Sequence, residues 1–164
     1  MKNADVLLIL KAELKADIEQ LEELYQKYDL IHHKLAQIRP DEFDYIALAY
    51  TMANLYSMIE TYFMRIAKAF ENNLEPTYWH RQLLERMCLE IEGLRPAFMT
   101  RQDYVLFDEL RAFRHVFRHL YQNMLDIDKL RQLDQKVPET IKRFRELHPL
   151  YLNKLEAIID QMEK

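Results

Sequence analysis

The chain has 164 residues, of which 49 % are apolar; that suffices for one substantial core and not for two, so residues 1–164 are read as a single domain. A formal net charge of −4 excludes a generally basic nucleic-acid binder but leaves room for a local basic patch. One glycine and five prolines among abundant Leu, Glu, Lys, Arg and Ala predict helix nearly everywhere, and exclude a glycine-rich phosphate loop.

Taken in chain order, apolar residues from Ala4 to Ile38 recur at spacings of three and four, including Leu7, Leu10, Leu14, Leu21, Tyr28 and Leu35. They predict one face of a helix about 50 Å long at 1.5 Å per residue, longer than a small bundle needs, so part of it is expected to project toward a partner. Pro40 stops this helix and Asp41 is placed to cap the next. The second helix, about Asp41 to Glu71, carries Ile46, Ala49, Ala53, Tyr56, Ile59, Phe63, Ile66 and Phe70 as its core register, and "ENNLEP" ends it. A third helix, Thr77 to Glu92, packs Trp79, Leu83, Leu84 and Met87 and is closed by Gly93 and Pro96.

The fourth helix, about Thr100 to Asn123, opens on a capping box of Thr100 and Asp103 and carries Leu106, Leu110, Phe113, Phe117 and Leu120 as one stripe. A segment containing Pro138 leads into the last helix, about Glu139 to Met162, in which Pro149 is expected to kink the helix or begin a new one. The predicted architecture is all-α, an antiparallel bundle of four to five helices. The most apolar region, Ile46 to Met58, is interrupted by polar residues and is no bilayer span. Lone Cys88 makes no internal disulfide, and the amino terminus lacks a signal-peptide pattern, so a soluble cytoplasmic protein is the expectation.

The densest chemistry lies in "FRHVFRHLY", residues 113 to 121. On a helical wheel with Leu106 at zero, Arg114, Arg118 and Arg111 fall at about 80°, 120° and 140°, a ridge beside the core stripe, with His115 and His119 on its far side. No acid lies between Arg111 and His119. Such a positive site fits a phosphate-containing ligand; equally, the arginines pair with carboxylates of neighbouring helices. His115 and His119 have a spacing that can serve a metal, but nothing completes the site and the arginines would repel a cation, so no metal is expected. His32 and His33 read as surface residues, His148 as a bend residue beside Pro149, and Cys88 as no nucleophile.

The spacing Arg114, four residues, His119, one residue, Tyr121 resembles the R-x4-H-x-Y signature of HEPN-domain ribonuclease toxins of the HepT type. Residues 59 to 87 look like the helix, proline-containing turn and Trp-His-Arg segment of that family, and "LRAFRHVFRHLY" looks like its catalytic helix. The resemblance covers about Tyr45 to Leu130, with the chain ends resting on architecture alone.

The resemblance implies a HEPN-like bundle that dimerises through the catalytic helix and cleaves RNA, tRNA among the candidates, without metal or cofactor. It assigns Arg114 and His119 to catalysis, one stabilising charge on the phosphate and the other moving protons, as a histidine does near neutral pH. Residues five apart on a helix point about 140° from each other, so two chains facing each other would bring these groups together better than one. Arg111, His115 and Arg118 are then expected to bind RNA. Tyr121 matches the tyrosine that an MntA-type nucleotidyltransferase antitoxin modifies by AMPylation, which would load negative charge onto the arginine ridge. Glu60 is expected either to orient an arginine of the catalytic helix or to form an ordinary interhelical ion pair. Trp79, His80 and Arg81 read as mainly structural. The alternative function is a non-catalytic HEPN module that binds a nucleotidyltransferase partner.

Overall fold

A computed structural model describes residues 4–71, 79–120 and 125–163. The described helices are α1 (Ala4–Gln37), α2 (Glu42–Phe70), α3 (Trp79–Met87), α4 (Arg101–Arg118), α5 (Ile127–Asp134) and α6 (Val137–Met162). The four long ones form an all-α bundle, and α3 and α5 are short additions to it. Antiparallel order is fixed by side-chain pairs at successive levels. Lys34 meets Asp44 near the α1–α2 turn, whereas Arg65 meets Glu13 and Asp17 at the far end. Phe63 contacts Phe107 while Glu60 contacts Arg114, so α4 runs against α2. Asp103 pairs with Arg143 and Glu109 with Lys136, so α6 runs against α4.

Helix boundaries follow local chemistry. Asp41 caps α2, accepting from the Asp44 N–H at 2.9 Å while the Asp44 carboxylate accepts from the Asp41 N–H at 3.1 Å. Thr100 and Asp103 form the same reciprocal box at the start of α4. Each such cap satisfies two amide donors that the helix itself leaves unpaired, worth about 0.5–2 kcal/mol. Gly93, at φ 70°, turns the loop after α3 and permits the Ile91–Arg95 bridge. The Arg95 guanidinium is buried there and donates to the Arg86 carbonyl at the end of α3.

The core is aromatic at its centre. Tyr62 and Phe63 of α2 meet Phe98, Phe107 and Phe144 with ring centroids 4.9–6.0 Å apart, mostly edge-on. These residues tie α2, α4 and α6 into one apolar unit, each buried ring contributing about 1.5–3 kcal/mol.

Several expectations require correction. α1 does not project: it is covered from Leu7 to Leu35 by the rest of the bundle, with His32 reaching the Asp134 carboxylate at 2.8 Å. His32 is therefore an interior-edge residue, and Tyr28 donates to the same carboxylate at 2.6 Å. Ile46 is 42 % exposed, because Tyr45 and Leu48 take the core positions of that turn. Phe107 replaces Leu106 as the fully buried residue of α4. α5 was not anticipated, since its eight residues give too few turns for periodicity to register. Pro149 lies inside α6 and begins no new helix, which leaves the first of the two expectations for it, a kink within one helix. His148 is buried against Tyr62, its Nδ1 2.8 Å from the Tyr62 hydroxyl. The asparagines and proline of "NNLEP", the Trp79 side chain and residues 121–124 lie outside the described residues.

Candidate functional site

α4 buries Asp103, Phe107, Leu110 and Arg114, at intervals of four, three and four. Two apolar residues in the middle hold the helix to the bundle, and a charge closes the stripe at each end. The arrangement suits the helix dipole, with the acid in the first turn and the base toward the C-terminus, where His115 and Arg118 of the last turn follow it. Asp103 meets Arg143 of α6, its Oδ1 2.6 Å from the Arg143 Nε. Burial alone would raise the Asp103 pKa, but the Arg143 guanidinium and the Thr100 N–H and hydroxyl outweigh it and hold the carboxyl below its usual range.

Arg114, at 8 % exposure, is the arginine that turns inward. Its Nη1 donates to Glu60 Oε1 at 2.7 Å, and its guanidinium carbon lies 5.8 Å from the centre of the Tyr56 ring. Glu60 is 4 % exposed, so this pair is desolvated on both sides. The second carboxylate oxygen, Oε2, accepts from Nδ1 of His80 at 2.6 Å. A carboxylate of α2 thus joins α3 to α4. Tyr56 is buried beside the pair, and burial followed by the Glu60 charge pushes its hydroxyl far above the usual tyrosine range, so it stays protonated. Arg114 Nε is buried and has no hydrogen-bond partner among the described residues.

The arginines do not form one continuous ridge. Arg114 is buried, Arg111 is half-buried and Arg118 is exposed. Arg111 is held by its own helix, Nε donating to Asp108 Oδ1 at 2.6 Å. The acid-free stretch begins only after Glu109, so this pair escapes a search confined to residues 111–119. Arg118 carries its charge into solvent at the last turn.

His119 caps the C-terminus of α4 with φ −110° and ψ 14°. Its Nδ1 lies 2.7 Å from the carbonyl oxygen of His115. A carbonyl only accepts, so Nδ1 bears the proton, and in the neutral ring Nε2 is the basic nitrogen. The His115 and His119 rings lie 4.7 Å apart, both exposed, on the last turn. Phe113 and Phe117 stack at 5.9 Å and pack half-buried on the core, lining a groove with Leu130 and Leu133 of α5. No hydrogen bond among the described residues joins Arg114 to His119. The first faces the bundle interior and the second faces solvent. Tyr121 lies outside the described residues.

Sequence reasoning treated Glu60 as a candidate partner of the catalytic-helix arginine, and the ion pair to Arg114 is present. It missed His80, whose contact with Glu60 no spacing announces, because the two stand on different helices. Among the described residues no group of three or more His, Cys, Asp or Glu is arranged to hold a metal ion. None of the described helices is long and apolar enough to cross a membrane.

No curated protein and no solved structure matches the chain. A family model described as HepT-like protein matches residues 47–155, more than half of the chain. The match spans the chain from α2 into the last helix, beyond the residues on which the sequence resemblance rested. By that match and by its all-α bundle, the chain belongs to the HepT-like family.

Proposed function

We propose that this protein is a toxin of a two-gene toxin-antitoxin system, a metal-independent endoribonuclease acting as a homodimer in the cytoplasm. The observation that carries the reading is the division of roles over one helix end. His119 has its Nδ1 proton committed to the His115 carbonyl, which leaves Nε2 for proton transfer, and Arg114 is held with its charge toward the bundle interior by Glu60. In RNA cleavage the 2′-hydroxyl loses a proton to a base and attacks phosphorus. The 5′-oxygen then leaves with a proton, giving a 2′,3′-cyclic phosphate and a 5′-hydroxyl end. His119 moves a proton in this scheme and Arg114 stabilises the charge on the phosphoryl oxygens. Arg111, His115 and Arg118 bind flanking phosphates. The outward face of His119 and the inward face of Arg114 favour a site shared by two chains.

In this reading, an MntA-type nucleotidyltransferase antitoxin adds AMP to Tyr121, three residues after Arg118 in the sequence, and silences the toxin through added bulk and negative charge. The test is expression of the chain without its partner, with purified protein assayed on cellular RNA, tRNA included, in the presence of EDTA. Growth arrest and RNA cleavage, both lost in His119→Ala at unchanged helical content, are expected. A harmless, inactive wild-type chain would overturn the reading. Co-expression with the neighbouring gene should add whole AMP masses to the Tyr121 peptide, and Tyr121→Phe should remove them.

One observation favours a second reading, a non-catalytic module that binds a nucleotidyltransferase. The Glu60 carboxylate already offsets the Arg114 charge. Under that reading Arg114→Ala and wild type are equally harmless and bind the partner equally well.

A further inference from the structure

We propose that the pocket between the end of α1, the start of α2 and α5 is a binding site separate from the end of α4, and that it takes a nucleoside monophosphate. Its volume is about 470 Å³, within the roughly 300–1,000 Å³ of small-molecule sites. His32, Leu35, Pro40, Tyr45, Leu48 and Arg131 line it. None of these residues belongs to α4, and binding here does not depend on ribonuclease activity.

Two buried polar groups hold one imidazole at this pocket. Tyr28 is fully buried and Asp134 is 7 % exposed, and such groups are costly unless paired. Tyr28 donates to Asp134 Oδ1 at 2.6 Å, and His32 Nδ1 lies 2.8 Å from Oδ2. The carboxylate only accepts, so Nδ1 bears the proton, and in the neutral ring Nε2 is an acceptor on the edge away from Asp134. The His32 side chain is 21 % exposed, and its Nε2 has no hydrogen-bond partner among the described residues.

The cation at this pocket is held in a different way from most arginines of the bundle. Arg65, Arg95, Arg143 and Arg145 each meet a carboxylate. Arg131 donates instead to the Tyr45 hydroxyl, with its guanidinium carbon 5.3 Å from the centre of that ring, and has no carboxylate partner among the described residues. Asp134 stands one turn along α5, but its carboxylate is engaged by Tyr28 and His32. A neutral partner fixes a guanidinium without cancelling its charge, and Arg131 is exposed.

These groups define a ligand. Arg131 calls for an oxyanion, His32 Nε2 for a hydroxyl donor, and Leu35, Pro40 and Leu48 for an apolar body. The side-chain amides of Gln132 and Gln135, also in the pocket lining, add the paired donors and acceptors that suit a base edge. A nucleoside monophosphate supplies phosphate, ribose hydroxyls and base in one molecule, whereas inorganic phosphate supplies only the first.

The test titrates the full-length protein with AMP, GMP, CMP and UMP by calorimetry, beside inorganic phosphate, the matching nucleosides and a short single-stranded RNA. At least one nucleotide is expected to bind, with its nucleoside and inorganic phosphate weaker by about tenfold or more. Arg131→Gln should weaken binding by about ten- to hundredfold, the loss of a charged hydrogen bond. His32→Asn keeps an N–H near the position of Nδ1 for Asp134 and removes Nε2. It should weaken binding about tenfold at an unchanged thermal melt. The ring-proton signal of His32, assigned by its absence in His32→Asn, should shift as the nucleotide saturates, while those of His115 and His119 stay in place.

Failure of all four nucleotides to bind, an affinity unaltered in either variant, or shifts at His115 or His119 in place of His32 would overturn the proposal. So would inorganic phosphate binding as tightly as the best nucleotide, or RNA binding where no mononucleotide does.

Discussion

The two ends of α4 each bury one charged residue, and they use it differently. At the first turn Asp103 is saturated: it accepts from the Thr100 N–H and hydroxyl and from Nε and Nη2 of Arg143. Just before the last turn Arg114 makes one bond to Glu60 and keeps a buried Nε without a partner among the described residues. The first end is finished as a helix start, with nothing left to offer a ligand. The second is followed along the helix by exposed His115, Arg118 and His119, which is where a site would be expected.

That contrast can be broken most severely at the C-terminal end. Replacing His119 by Ala is expected to reduce RNA cleavage by about 10²–10⁴, the range of a general acid-base group, with a thermal melt indistinguishable from wild type because the residue is exposed. Glu60→Leu should instead unfold the protein more easily, by about 3–5 kcal/mol in urea titration, since it strands a buried guanidinium. The double variant Glu60→Leu with Arg114→Met should recover most of that loss, and failure to do so would mean that the ion pair is not what couples α2 to α4. At the other end, Asp103→Ala should cost only about 1–2 kcal/mol, mainly the lost cap, because Arg143 is a third exposed and keeps its hydration. RNA cleavage should be untouched by that change.

Acid sharpens the comparison further. Asp103 has a lowered folded-state pKa, so its stabilisation is present above the unfolded value near 3.8 and is lost as pH falls through the folded one. His148 also has its pKa lowered, by burial and then by the Lys15 charge. Its ring is neutral in the fold and takes up a proton more readily when unfolded. Stability should therefore decline as pH drops below about 6.5 and this decline should level off below the folded pKa of His148. His148→Asn, which keeps an acceptor for the Tyr62 hydroxyl, should flatten the upper part of this decline in melts between pH 7.5 and 5, the smallest of these effects.

Much of the fold was legible because helices announce themselves by period. The long helices, their order, the caps at Asp41 and Thr100 and most core residues follow from spacing and from the chemistry of helix ends. Errors arose where the pattern was locally ambiguous. At Tyr45–Ile46 and at Leu106–Phe107 two adjacent apolar residues compete for one core position, and the neighbouring helices choose between them. α5 is too short to display a period.

The candidate site divides along the same line. Alone, the sequence determined that Arg114, His115, Arg118 and His119 crowd onto one helix end, and its motif pointed to the HepT-like family that the family match establishes. Helical geometry dictates which residues share a turn, and nothing more distant is needed for that. Only the tertiary structure decided that Arg114 turns inward while Arg118 does not, because that depends on a carboxylate 54 positions away on α2. It also decided that His80, from a third helix, takes the other oxygen of that carboxylate. A desolvated charge must find its partner wherever packing brings one, and packing follows the bundle, not the order of residues along the chain.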